Sequence, residues 1–120
     1  MTWTTQLVEQ ERQALNMRWT QGDAVSFGLR FIGLAGYAGY TWRAQLRCSQ
    51  SRTAKLIATF LVGVSADGDD LVVSMGLTPA DNQVAYPSLC WDLQSDNGSG
   101  DIRTWIGGFA HVVADVTEGA

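Results

Sequence analysis

Ala24-Val25-Ser26-Phe27-Gly28-Leu29-Arg30-Phe31 is the stretch that decides the fold. Val25, Phe27, Leu29 and Phe31 fall on one side, and Ala24, Ser26, Gly28 and Arg30 on the other. Successive strand side chains point to opposite faces, so a period of two marks a strand with one buried and one wet face. Downstream, Tyr40, Trp42, Ala44, Leu46 and Cys48 repeat the pattern against Thr41, Arg43, Gln45 and Arg47.

Upstream, Leu15, Met17 and Trp19 alternate with Ala14, Asn16, Arg18 and Thr20, which predicts a strand over 13–20. Gln21-Gly22-Asp23 is a turn signal. Residues 1–12 alternate poorly and read as an N-terminal arm, an edge strand or one helical turn. The glycines at 33, 36 and 39 predict a flexible loop. A strand over about 55–65 places Leu56, Ala58, Phe60, Val62 and Val64 on one face. It pairs across an Asp67-Gly68 turn with a strand carrying Leu71, Val73, Met75 and Leu77 inward.

Thr78-Pro79 predicts one capped helical turn through about Gln83. A strand over 88–94 follows, with Leu89, Trp91 and Leu93 on one face. After the Asp96–Gly100 turn, a last strand runs from about Ile102 to Val116, bent or bulged at Gly107-Gly108. Its second half places Ala110, Val112, Ala114 and Val116 on one face. Seven or eight short strands and one helical turn predict an all-β fold: an antiparallel, immunoglobulin-like β-sandwich over 13–120.

At 120 residues the chain is expected to be one such domain, with residues 1–12 as its arm or edge strand. A net charge of −4 argues against nucleic acid as a partner. The seven arginines and Lys55 are spread along the chain rather than clustered. The first residues lack the basic start and apolar core of a signal peptide. The apolar runs are too short to span a bilayer, so no membrane partner is expected. Cys48 and Cys90 have no metal or redox spacing and read as reduced, buried thiols, with a cross-sheet pairing still open.

The candidates for chemistry are few. His111 is the single histidine, and Asp115, four residues along a strand, would stand roughly 13 Å away. That is too far for a base and its orienting acid, so His111 reads as a strand residue on the polar face. Asp67, Asp69 and Asp70 lack the spaced ladder and closing Glu of a calcium loop. No catalytic residue, cofactor or metal is expected. Trp3 and Leu7 in the N-terminal segment, with Tyr37 and Tyr40 flanking the glycine loop, are the candidate protein-contact residues. The two tyrosines could equally fold back over the end of the sandwich. Arg30, Arg43 and Arg47 read as a solvated face, with acids on neighbouring strands or a partner subunit as possible counter-charges.

A series of short motifs runs through this pattern. It begins with Gln21-Gly22-Asp23 before an alternating strand, then Gly39-Tyr40-Thr41-Trp42-Arg43-Ala44-Gln45-Leu46-Arg47. Thr59-Phe60, Met75-Gly76-Leu77-Thr78-Pro79 and Trp91-Asp92-Leu93-Gln94 follow. Gly107-Gly108 and Asp115-Val116-Thr117 close it. In order and spacing, over roughly residues 13–117, this resembles a family of small β-sandwich proteins of tailed bacteriophages, the minor tail and baseplate proteins. The resemblance implies a structural virion protein that acts by protein–protein assembly. Its implied partners are other virion proteins of the tail or tail tip, and it is expected to be oligomeric within the particle. Larger members of the family carry the domain as an N-terminal adaptor. Here the sequence stops at Glu118-Gly119-Ala120, which favours a connector or decorating subunit over a receptor-binding one. The alternatives are a capsid (head) decoration protein and a carbohydrate-binding β-sandwich module. The last predicts that two or three of Trp3, Tyr37, Tyr40, Trp91 and Trp105 lie coplanar on an exposed face.

Overall fold

The computed structural model describes residues 4–8, 13–51, 53–83 and 88–114, with side chains described from residue 15 onward. In chain order the strands are β1 (Thr4–Val8), β2 (Gln13–Ala14), β3 (Met17–Thr20), β4 (Val25–Ile32), β5 (Thr41–Arg47), β6 (Leu56–Thr59), β7 (Leu61–Asp67), β8 (Asp70–Leu77), β9 (Leu89–Asp96) and β10 (Ile102–Val113). Short 3₁₀ turns stand at Ala35–Tyr37 and Pro79–Asp81. They build an immunoglobulin-like β-sandwich. One sheet has the order β1-β4-β8-β7, and the other β2-β10-β9-β5-β6, with β3 following β2 along the same edge of β10. Among the described residues no helix is long and apolar enough to cross a membrane.

The pairing is antiparallel except along the N-terminal segment. β1 runs parallel to β4, from Thr4 opposite Gly28 to Val8 opposite Ile32. β2 and β3 run parallel to β10, with Met17 opposite Ala110 and Thr20 opposite Val113. Parallel neighbours need a long connection between them. Here β1 meets β4 only after the chain has crossed to the other sheet and returned through β2 and β3.

Phe60 corrects the expectation of one strand over 55–65. β6 pairs with β5 in the six-stranded sheet, while β7 pairs with β8 in the four-stranded sheet. Between them the Phe60 amide donates to the Ala44 carbonyl at 3.0 Å, and the ring turns into the core. There it meets Trp19, Phe27 and Trp91 edge-on, with centroids 6.1–6.2 Å apart. Such edge-to-face geometry suits aromatic quadrupoles. The crossing breaks the supposed common face: Leu56 is exposed, Val62 and Val64 are half-buried, and Ala58 and Phe60 are buried.

The expected strand over 13–20 is also interrupted. At Leu15-Asn16 the chain presses against β10. The Leu15 amide donates to the Gly107 carbonyl, and the Leu15 carbonyl accepts the Trp91 indole N–H, each at 2.9 Å. The Asn16 side-chain oxygen accepts the Phe109 amide at 3.0 Å. A Cβ on Gly108 would lie 2.3 Å from the Leu15 carbonyl oxygen, so this approach requires glycine. The irregularity in β10 falls not at Gly107-Gly108 but at Trp105, where the register with β9 shifts between Thr104 and Ile106. The extra residue lets Trp105 and Ile106 both point inward. β10 is followed to Val113, and Ala114, expected on one face with Ala110 and Val112, is exposed, while Ala110 is buried and Val112 is too. Val116 lies outside the described residues.

The core otherwise follows the alternation. Phe27, Leu29 and Phe31 of β4 and Leu71, Val73 and Met75 of β8 face Trp42, Ala44 and Leu46 of β5. Leu89, Trp91 and Leu93 of β9 and Ile106, Ala110 and Val112 of β10 complete it. Cys90 is buried, but Cys48, expected to be buried as well, is exposed, and the two are not joined.

Candidate functional site

The glycine loop after β4 is tied down rather than loose. Gly33 takes a positive φ of 77°, which turns the chain at the end of β4. Its amide donates to Asp70 Oδ1 at 2.9 Å, and the Ala35 amide donates to the Asp69 carbonyl at 3.0 Å. Asp70 is held in turn by Arg30, whose guanidinium bonds Asp70 at 3.0 Å and Asp67 at 2.6 Å. The Gly33 amide, and then the Arg30 guanidinium, hold the Asp70 carboxyl below its usual value. The two carboxylates raise Arg30 further above its own. Arg30 is therefore paired with acids on neighbouring strands.

This anchoring sets the two tyrosines. The Trp42 indole N–H donates to the Tyr37 carbonyl at 3.0 Å. The Tyr37 ring stands 4.8 Å from Tyr40 and 5.1 Å from Trp105, edge-on to both. Trp105 is buried, with its N–H on Ser95 Oγ at 2.8 Å. The Arg103 guanidinium lies 5.1 Å from the Trp105 ring and 5.8 Å from the Tyr37 ring, and donates to the Tyr37 hydroxyl at 3.3 Å. A cation in this position is attracted by the ring faces. The tyrosines thus fold back over the end of the sandwich and remain half-buried, forming an aromatic cap with one charged edge.

Of the expected contact residues, the structure brings Tyr37 and Tyr40 together. Leu7 lies on β1 opposite Phe31, so the C-terminal end of β1 reaches the end of the sandwich where the cap sits. Trp3 lies outside the described residues. Arg103 and Trp105 also belong to the cap, and neither is among the expected contact residues. The only sequence signal for them is a basic residue two before an aromatic on the strand that follows a turn, which is too common to act on. A coplanar aromatic platform is not formed by Tyr37, Tyr40, Trp91 and Trp105, because both tryptophans are buried and the ring pairs at the cap are crossed.

A second surface is the outer face of the six-stranded sheet. Arg43, Gln45 and Arg47 of β5, Asp92 and Gln94 of β9 and Thr104 of β10 line an open concavity of about 540 Å³. Arg47 spans it sideways, donating to the Ala54 carbonyl at 2.8 Å and to Gln45 Oε1 at 2.9 Å. Gln94 donates to Thr104 Oγ1 at 3.3 Å. The face offers hydrogen bonds and positive charge but little reactive chemistry. Cys90, at its edge, is pushed up by burial and stays a protonated thiol. His111 is exposed on β10 opposite Arg18 of β3, and Asp115 lies outside the described residues. Among the described residues no group of three or more His, Cys, Asp or Glu is placed to hold a metal ion.

No family model matches the chain, and no curated protein matches it. Among solved structures it is similar to the inferred receptor-binding domain of a human endogenous retrovirus envelope, EnvP(b)1. That match has 10% identity and a TM-score of 0.39, over 88% of this chain and 92% of that one. It is similar too to a chain in the structure of PbICP-C in complex with falcipain-2. There the identity is 12% and the TM-score 0.38, over 92% of this chain and 99% of that one. At those scores neither likeness carries an argument about function.

Proposed function

We propose that this chain is a structural virion protein of a tailed bacteriophage, a minor tail, tail-tip or baseplate connector that works by assembling with other virion proteins. The observation that carries the reading is the ordered series of motifs from Gln21-Gly22-Asp23 to Asp115-Val116-Thr117. Within that series, Thr41–Arg47 is β5, and Trp91–Gln94 lies in β9 beside it. Met75–Pro79 is the end of β8 and its capped turn. The two candidate surfaces favour contact over catalysis. One is an aromatic cap edged by Arg103, and the other a polar sheet face carrying Arg43 and Arg47. Aromatic and arginine side chains are the types most enriched where proteins meet.

The test is labelling of purified particles of the encoding phage with an antibody raised against this chain, viewed in negative stain. Label at the tail or tail tip is the expected result. Label over the capsid would make it a head decoration protein. Particles that lack the chain altogether would end the structural reading.

A further inference from the structure

We infer that the outer edge of β7 is a self-association surface, on which a second copy of this chain adds its own β7 antiparallel about a two-fold axis at Val64. The sandwich has four outer edges. Among the described residues they are formed by β1 and β7 in one sheet, and by β6 and by β2 with β3 in the other. β7, of seven residues, is the longest of these edge strands, against five in β1 and four in β3 and in β6.

β7 reads Leu61-Val62-Gly63-Val64-Ser65-Ala66-Asp67. Natural sheets protect exposed edges with lysine, proline, bulges or inward charges. None of these interrupts β7, and its register with β8 runs unbroken from Leu61 opposite Gly76 to Asp67 opposite Asp70. Leu61 is 62% exposed, the most of any large apolar side chain described.

The backbone register selects the occupant. Gly68-Asp69 is a two-residue turn, so Asp67 and Asp70 form the hydrogen-bonded pair that closes the hairpin. Bonding alternates along an antiparallel ladder. Gly63 and Ser65 therefore turn their backbone groups towards β8, and Val62, Val64 and Ala66 turn theirs to the open edge. A two-fold axis at Val64 sets Val64 against its own copy and Val62 against Ala66 of the second chain, giving about six hydrogen bonds. The half-buried Val62 and Val64 side chains then continue the core across the seam.

Charge fits the same register. Asp67 is the one charged residue of β7, and Arg30 already holds it. In the paired sheet it faces Leu61 of the second chain, roughly 20 Å from the other Asp67 at strand spacing. That distance is beyond the screening length of about 8 Å at physiological salt. No like charges oppose one another, and the two four-stranded sheets become one continuous sheet.

The experiment is sedimentation equilibrium of the purified chain, with variants that act on the seam. Wild type is expected to dimerise reversibly. Val64→Pro removes an outward N–H and crowds the pairing line, yet proline is tolerated on an edge strand whose N–H faces out. Ala66→Pro does the same at the neighbouring position. Each is expected to weaken the dimer on the order of a hundredfold while leaving the circular dichroism spectrum unchanged. If either variant fails to fold, cysteine substitutions decide, made in a Cys48→Ser background. Val64→Cys should form a disulfide-linked dimer under mild oxidation, whereas Leu61→Cys, far from its own copy, should not. A wild-type chain that stays monomeric at its highest soluble concentration overturns the inference. So does a dimer indifferent to both prolines, or equal cross-linking at the two cysteine positions.

Discussion

Trp19 donates its indole N–H to Oδ1 of Asn82 at 2.9 Å, across 63 residues of chain. Asn82 is only 3% exposed, and its amide nitrogen donates to the carbonyls of Thr20 and Asp23. Its own carbonyl accepts the Gly22 amide at 2.6 Å. One side chain thus ties the turn between β3 and β4 to the 3₁₀ turn after β8. Asn82→Ala would strand a buried N–H and remove two donors from carbonyls. At about 1–3 kcal/mol for each group left unpaired, the loss should be on the order of 3 kcal/mol. Urea unfolding monitored by tryptophan fluorescence measures it, and a loss under about 1 kcal/mol would show that water replaces the amide.

Gly108→Ala should be costly although it adds a single methyl group. The new Cβ would meet the Leu15 carbonyl oxygen at 2.3 Å and Asn16 Oδ1 at 2.9 Å, and most of the obstruction is backbone. The strand pair must separate there, which breaks the Trp91–Leu15 hydrogen bond. A loss of about 1–3 kcal/mol is expected, the usual range for overpacking. Gly36→Ala, with nothing within 4 Å of its Cβ position, is the control and should lie within about 0.5 kcal/mol of wild type.

Acid should loosen the aromatic cap through Asp70. Its carboxyl is held below the ordinary value of 3.8 by the Gly33 amide and by Arg30. A group depressed in the folded state contributes stability that is present above its unfolded value and lost as pH falls through the folded one. The contribution is therefore complete near neutral pH and declines below about 3.8. Asp70→Asn should flatten that part of the stability–pH curve, as thermal unfolding across the acid range would show. A slope equal to that of wild type would assign the acid sensitivity to other carboxylates.

Deletion of residues 1–12 removes β1, and with it five paired positions along β4. β4 keeps β8 as its other neighbour, so the truncated chain should remain folded, with a lower melting temperature and the β-sheet spectrum retained. Incorporation of the truncated chain into particles should fall. Normal incorporation would move the assembly contacts to the aromatic cap or the sheet edges, and outright unfolding would make β1 essential to the sandwich.

The parts of the fold written in local patterns are legible in the sequence. β4, β5, β8 and β9 alternate cleanly because each has one buried face, and Asp67-Gly68 and Thr78-Pro79 carry their turn chemistry in adjacent residues. The change of sheet at Phe60 is not legible. β6 and β7 share a period of two, and no glycine or proline stands between them. The parallel pairing of β1, β2 and β3 depends on partners far along the chain. Gly107-Gly108 suggests a bend, yet Gly108 serves a close approach by Leu15 that no neighbouring residue announces. At the candidate site Tyr37 and Tyr40 stand out as aromatics beside a glycine loop. Their partner Arg103 lies 66 residues beyond Tyr37 and is brought there by the sheet alone.

The parallel alignment of β3 with β10 bears on how the domain carries load. β3 stands early in the chain and β10 late, and they point the same way. A pull on the two ends of the chain would draw these neighbours past each other lengthwise. The evenly spaced bonds of a parallel ladder would then bear the force together instead of opening one at a time. Tension would meet this seam in shear, the direction in which a β-sandwich resists rupture best, and the buried Trp19 and Val112, side by side across it, would have to slide in concert.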